Sequence, residues 1–309
     1  MRFAVLGVGL AALVITGCSG PSHNVNKVQP SAAVQPAPAP AAVPAPSIGP
    51  PTGAVGDGYR GFDRNDYPGD VAMDTLHTVF AFTGYWLTNP PGENTNSWLG
   101  KRSILRQQGW GFLVLANGRL DAEILKAQKS GTSPADLARK DAAVAVAAAR
   151  SEGFPAQTLL FLDQEEGGLL LDEQSAYLLA WTEAVSTSDY RAGVYASGQP
   201  VPNGPGKTIT TIDDIRSRIK TGHLHQVAMF DAQDTCPPAP GCTIYPKPLS
   251  DSGELDLTVW QYAQSPRRRE LTTACGRTYA SDGNCYTHSF PTIPLDMDFA
   301  ETLDPSQGR

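Results

Sequence analysis

Thr158-Leu159-Leu160-Phe161-Leu162-Asp163-Gln164-Glu165-Glu166-Gly167-Gly168 opens as an unbroken apolar run and closes on acids and glycines. A continuous apolar run suits a strand covered on both faces, as in a parallel sheet. Side chains alternate along a strand, so Asp163 and Glu165 are expected on one side, above Leu159 and Phe161. An apolar strand that ends in same-side acids is costly unless the acids are used. Paired carboxylates are the equipment for glycosidic cleavage: one protonates the leaving oxygen and the other handles the developing positive charge. The alternative is a strand that runs into a solvated acidic turn.

Outward from this stretch, short apolar runs alternate with helical patterns. Strands are expected at 59–63, 79–86, 111–116, 158–165, 192–196, 226–231, 257–262 and 293–299, and helices at 71–77, 98–108, 134–152, 173–187 and 212–220. Ser133 before Pro134, with Gly153 after the end, brackets the clearest helix. Eight strands alternating with helices over about 250 residues predict an α/β fold, a (β/α)8 TIM barrel. Its second half is irregular, because the last two connections show little helical pattern.

The active end of such a barrel is formed by the strand C-termini. The expected strand ends carry Asp63; Tyr85 and Trp86; Asp163 and Glu165; Tyr195; Asp231; Trp260; and Asp296 and Asp298. Acids and aromatics thus gather at one rim, and aromatic faces stack on sugar rings. For each aromatic taken singly, core packing is the alternative.

Before the barrel, Arg2 and the apolar run from Phe3 to Ile15 have the form of an export signal too short for a membrane span. The run ends Ile15-Thr16-Gly17-Cys18-Ser19, which resembles the lipobox of bacterial lipoproteins. The resemblance implies cleavage before Cys18 and lipidation of its thiol; a plain secretory signal is the alternative. Residues 19–56 are rich in Pro and Ala and read as a disordered tether with a reach of roughly 100 Å. The expected organisation is a signal peptide at 1–18, a linker at 19–56 and the barrel at 57–309. Cys236, Cys242, Cys275 and Cys285 form an even set in an exported chain. Local pairing, Cys236–Cys242 and Cys275–Cys285, is chosen from three connectivities, each bond contributing roughly 2–3 kcal/mol.

Several classes are set aside. The chain has 309 residues and a net charge of −7, without a long basic run, so nucleic acid is not an expected partner. No cofactor or metal is expected: the cysteines lack paired C-x-x-C spacing, and His223 and His225 fall at the entrance of a strand. Gly204-Pro205-Gly206-Lys207-Thr208 lacks the first glycine of a phosphate loop and reads as a flexible turn. Arg267-Arg268-Arg269 reads as a solvated cluster on the rim, with an anionic ligand as the alternative.

Taken in order, Gly61-Phe62-Asp63, Asp163-Gln164-Glu165, Gly193-Val194-Tyr195-Ala196-Ser197, Trp260-Gln261-Tyr262 and Leu295-Asp296 resemble family-25 glycoside hydrolases, the lysozyme-type muramidases. With Gly61-Phe62-Asp63-Arg64-Asn65-Asp66-Tyr67 and Phe82-Thr83-Gly84-Tyr85-Trp86, the chain is still more similar to a related bacterial group of glycoside-hydrolase-like barrels, mostly of unassigned function. The resemblance spans about 58 to 304. It implies Glu165 as general acid, with a pKa raised by burial or a neighbouring acid. Asp163 would orient the substrate N-acetyl group or stabilise the charged intermediate. Asp63 and Asp296, or Asp298 on the same face, would be supporting acids. Tyr85, Trp86, Tyr195 and Trp260 would form the sugar platform, with Asp231 and Asp298 as further substrate contacts. The implied partner is cell-wall glycan, with the membrane reached through Cys18, and the implied place is the bacterial cell envelope. A third acid, Glu166, and the two cysteine loops depart from the muramidase pattern. A non-catalytic glycan-binding or envelope-scaffold barrel is the alternative function.

Overall fold

The computed structural model of the chain describes residues 52–233, 247–264, 293 and 295–309. Cys18, the tether up to residue 51, all four C-terminal-half cysteines and Arg267–Arg269 lie outside the described residues. No helix among the described residues is long and apolar enough to cross a membrane.

Eight strands close into a barrel. They are β1 (Gly58–Asp63), β2 (Phe82–Trp86), β3 (Gly111–Asn117), β4 (Leu159–Asp163), β5 (Arg191–Ser197), β6 (Ala228–Ala232), β7 (Leu257–Ala263) and β8 (Asp296–Ala300). A short Ala54–Val55 strand pairs antiparallel with the start of β1. The helices are α1 (Asp70–Leu76), α2 (Arg102–Gln108), α3 (Asp121–Lys129), α4 (Pro134–Ser151), α5 (Asp172–Ser186) and α6 (Thr211–Gly222). All eight expected strands and five expected helices are present, and α3 is an addition. Its three turns follow directly on β3, and a weak apolar stripe that buries only Ile124 left little periodicity to read. The Ser133 hydroxyl accepts from the Asp136 N–H at 3.1 Å, with Pro134 opening α4.

From β1 through β7 neighbouring barrel strands run parallel, whereas β8 is antiparallel to both β7 and β1. The irregularity of the barrel's second half lies here. Asp296 faces Asp63, the last residue of β1, so β8 begins at the rim where the other strands end. The connection from β7 therefore leaves and re-enters the same end of the barrel. A parallel β8 would have needed a crossover to the opposite end. Between β6 and β7 the described connection contains only a 3-10 turn at Leu249–Ser252.

Because β8 ends at the base, the C-terminal residues cross the barrel floor. Ser306 donates from N to the Phe112 carbonyl, and its carbonyl accepts from Leu159 N at 2.8 Å. Its hydroxyl accepts from Val114 N at 2.8 Å. The Arg102 guanidinium donates to the Gly308 carbonyl at 2.6 Å. Gly204–Lys207, read as a flexible turn, joins two short antiparallel strands, Val201–Pro202 and Thr208–Ile209.

Candidate active site at the barrel mouth

Each barrel strand contributes one inward side chain to a polar pit at the mouth. They are Asp63, Trp86, Leu115, Asp163, Tyr195, Phe230, Gln261 and Asp296, in strand order, around about 330 Å³ of empty space. Asn65 and Glu165 complete the lining, each two residues beyond the inward residue of its strand. The alternation of the strand thus carries on into the loop. The strand itself stops at Asp163, two residues short of the expected end, yet Glu165 still faces the same space.

The same alternation removes three expected contacts. Tyr85 precedes the inward Trp86 and points outward: it is fully buried and its hydroxyl donates to Glu152. Trp260 precedes the inward Gln261; its indole N–H donates to the Gln233 carbonyl at 2.9 Å, and it lines no part of the pit. Asp231 follows the inward Phe230 and lies fully buried outside the barrel, near Ser252, Glu254 and the Gly198 N–H. Adjacent residues on a strand cannot share a face, so each of these pairs supplies one side chain to the pit. Asp298 is corrected differently. It is on the inward face but one step below Asp296, fully buried beneath the pit lining.

Gln261 is the pit residue that residue-type reasoning passed over. Its Nε2 donates to Asp63 Oδ2 at 2.7 Å, and its Oε1 accepts from the Tyr195 hydroxyl at 2.9 Å. Gln264 Nε2 donates to both Gln261 Oε1 and the Tyr195 oxygen. The signal for it was parity alone: a glutamine between two aromatics on β7. Close approaches frame the acids. A Cβ on Gly84 would come within 2.6 Å of the Asp63 Cβ, and one on Gly118 within 2.3 Å of the Asp163 carbonyl oxygen.

The electrostatics show that the acids converge. The Tyr195 hydroxyl is held well above the usual phenol range, first by burial and then by the charges of Asp163, Asp63, Asp296 and Glu165, in that order. The Arg64 guanidinium is lowered first by its own burial, against the opposing charges of Asp66 and Asp296. Asp163 is buried, whereas Glu165 is exposed. Among the described residues Glu165 has no hydrogen-bond or ion-pair partner. Glu166 has a different task. Its Oε2 accepts from Asp121 N and from Gln174 Nε2, both at 2.7 Å, which pins the acid loop to the starts of α3 and α5.

Asp163 and Glu165 also line a longer, open groove of about 1920 Å³ between residues 87–94 and 116–120. On its wall Arg119 is held by both oxygens of Asp141, at 2.8 and 3.1 Å, and Asp141 accepts from the Tyr177 hydroxyl at 2.9 Å. Away from the mouth, His225 is bound to Glu183 through its backbone N–H and Nδ1.

Residues 88–237 match the family model described as Rv2525c-like, glycoside hydrolase-like domain. Over those residues the chain is similar to glycoside hydrolase-like domains of the Rv2525c type. The matched stretch includes β3 to β6, and hence Asp163, Glu165 and Tyr195, while Asp63 and Asp296 stand outside it. Three solved structures are similar to the chain. An uncharacterized B. stearothermophilus protein is 19% identical, with 78% of this chain and 95% of that chain covered and a TM-score of 0.48. The Tat-secreted protein Rv2525c of Mycobacterium tuberculosis is 11% identical, with 82% and 98% covered and a TM-score of 0.47. The catalytic domain of endolysin ply40, from bacteriophage P40 of Listeria monocytogenes, is 15% identical, with 81% and 97% covered and a TM-score of 0.43. No curated protein sequence matches the chain.

Proposed function

We propose that this glycoside hydrolase-like barrel cleaves cell-wall glycan, peptidoglycan or a similar N-acetylated polysaccharide, on the outer side of the cytoplasmic membrane. The observation that carries the reading is the convergence of Asp163, Asp63, Asp296 and Glu165 on one pit, registered at the Tyr195 hydroxyl. In this reading Glu165 delivers its proton to the glycosidic oxygen as the C1–O bond breaks, and the bonding pair stays on the departing oxygen. Asp163 orients the substrate N-acetyl oxygen toward C1 or stabilises the positive charge there. Water then adds at C1 and returns a proton to Glu165. Asp63 and Asp296 hold hydroxyls, and Trp86 and Tyr195 offer the sugar platform. The open groove gives a polymer room to continue past the acids.

Export by the N-terminal signal, lipidation at Cys18 and the disulfides Cys236–Cys242 and Cys275–Cys285 belong to the same proposal. Incorporation of a labelled fatty acid that disappears in Cys18→Ala tests the anchor. Peptide mapping without reductant tests the pairing.

The exposure of Glu165 favours a second reading, a barrel that binds glycan without cleaving it. Reducing-end release from purified peptidoglycan separates the two. Release that falls by orders of magnitude in Glu165→Gln supports the hydrolase. No release by either protein, with co-sedimentation on the same glycan unchanged, supports the binder.

A further inference from the structure

One carboxyl of the barrel interior takes no part in lining the pit. Asp298 lies opposite Gly61 on β1 and opposite Gln261 on β7, one inward step beneath Asp296. It is fully buried. Among the described residues no donor reaches either of its carboxyl oxygens. Asp63 is its diagonal neighbour on the inward face of the paired strands β1 and β8, and the two carboxyls interact. Two carboxylates meeting in this way present acceptor to acceptor, and the contact holds only if a proton sits between them. The Gln261 amide already donates to Asp63 Oδ2, which marks Asp63 as the acceptor of the pair.

We propose that Asp298 is a proton-bearing positioning residue, which donates a hydrogen bond upward to Asp63 and so holds that carboxylate anionic and aimed into the pit.

The surroundings agree with this role. The groups that face Asp298 are Asp63 on β1, Asp296 on its own strand and Tyr262 on β7, with Arg60 on β1 acting on Tyr262. The charges that act on Asp298 itself are both negative. Burial first, and then those charges, hold its carboxyl well above the ordinary carboxylate range. Asp63 therefore takes a donor from beside it, Gln261, and one from below, Asp298. Each donor further restricts the rotamer of a carboxylate. A fifth negative charge on the barrel axis is also avoided. The inference rests on the geometry of Asp63 rather than on glycan cleavage, so it stands or falls separately from the proposed hydrolysis.

The test is infrared spectroscopy of the full chain, paired with thermal melts over pH. At about pH 7 the Asp231→Asn chain, in which the other buried acid is removed, is expected to show a protonated-carboxyl C=O stretch that shifts in D2O and disappears when Asp298→Asn is added. The band is also expected to disappear when Asp63→Asn is added instead, because the new amide donates to Asp298 and lets it ionise. In the melts, Asp298→Asn is expected to gain on the wild type steadily from about pH 5 to about pH 8, since folded Asp298 retains a proton that the unfolded chain has lost. Asp298→Leu, which offers Asp63 no donor, is expected to melt below Asp298→Asn at every pH. A wild-type spectrum without the band overturns the proposal even if no variant folds. So does a band that survives in Asp231→Asn/Asp298→Asn, or a melting difference between wild type and Asp298→Asn that is flat with pH.

Discussion

Gln261 joins Asp63 to Tyr195: its amide nitrogen donates to the carboxylate at 2.7 Å while its amide oxygen accepts the phenol proton at 2.9 Å. The two residues lie on β1 and β5, so one neutral side chain ties opposite parts of the barrel mouth together. Gln261→Met keeps the volume and removes both bonds, together with the one its Oε1 accepts from Gln264 Nε2. It leaves a buried carboxylate and a half-buried phenol each short of a partner, and a cost of about 1–3 kcal/mol is expected, read from a urea melt. The loss is expected to shrink in Gln261→Met/Asp63→Asn, because the neutral amide is cheaper to leave underbonded than the carboxylate.

Glu165 and Glu166 are neighbours with opposite expected responses. Glu165→Gln touches an exposed side chain and is expected to shift stability by less than about 0.5 kcal/mol. Glu166→Ala strips the acceptor from Asp121 N and Gln174 Nε2 and is expected to cost about 1–3 kcal/mol. Hydrogen exchange at the Asp121 amide is expected to quicken in Glu166→Ala and to stay unchanged in Glu165→Gln. Equal exchange in the two variants sinks the assignment of Glu166 as the loop anchor.

Asp231 sits outside the barrel beside Glu254, and burial, then that charge, pushes its carboxyl up to about 7. The folded chain therefore holds a proton that the unfolded chain releases near the ordinary carboxylate value. Stability from this group falls as pH rises between the two values, by about 1.4 kcal/mol per pH unit, and levels off above about 7. Asp231→Asn removes that slope. Its melting temperature is expected to match the wild type at about pH 4 and to exceed it by several degrees at about pH 7.

The C-terminal strap satisfies backbone groups at the bases of β3 and β4. Removing residues 306–309 strips partners from Phe112, Val114 and Leu159 and from the Arg102 guanidinium. At about 1–3 kcal/mol for each buried group left without a partner, the loss is expected to exceed that of any single variant above. Ser306→Ala, which removes only the acceptor for Val114 N, is expected to cost about 1–2 kcal/mol. A truncation that melts with the wild type would mean that water replaces the strap without cost.

Strand number, strand order and the level of the acids along the chain were all legible before any coordinates. The apolar run into Asp163 and the alternation beyond it are local facts, and local facts persist: Asp163 and Glu165 do line one pit. Asp63 and Asp296 were legible for the same reason, as acids at the ends of apolar runs. What parity could not tell from residue type is which of two adjacent side chains faces inward. Tyr85 with Trp86, Phe230 with Asp231, and Trp260 with Gln261 each needed the register of their neighbours to decide. Aromatic and acidic character pointed to the wrong member of the pair at Asp231 and Trp260.

By itself, then, the sequence determined the barrel and the segment that bears its acids, because period-two alternation and strand–helix alternation are written along the chain. Only the tertiary structure decided the direction of β8, the exposure of Glu165, the anchoring of Glu166 and the placing of Asp298 beneath Asp63. Each of these depends on groups brought together from strands far apart in the chain. The energies that settle them, burial of a charge and the meeting of donor with acceptor, exist only once the barrel has closed.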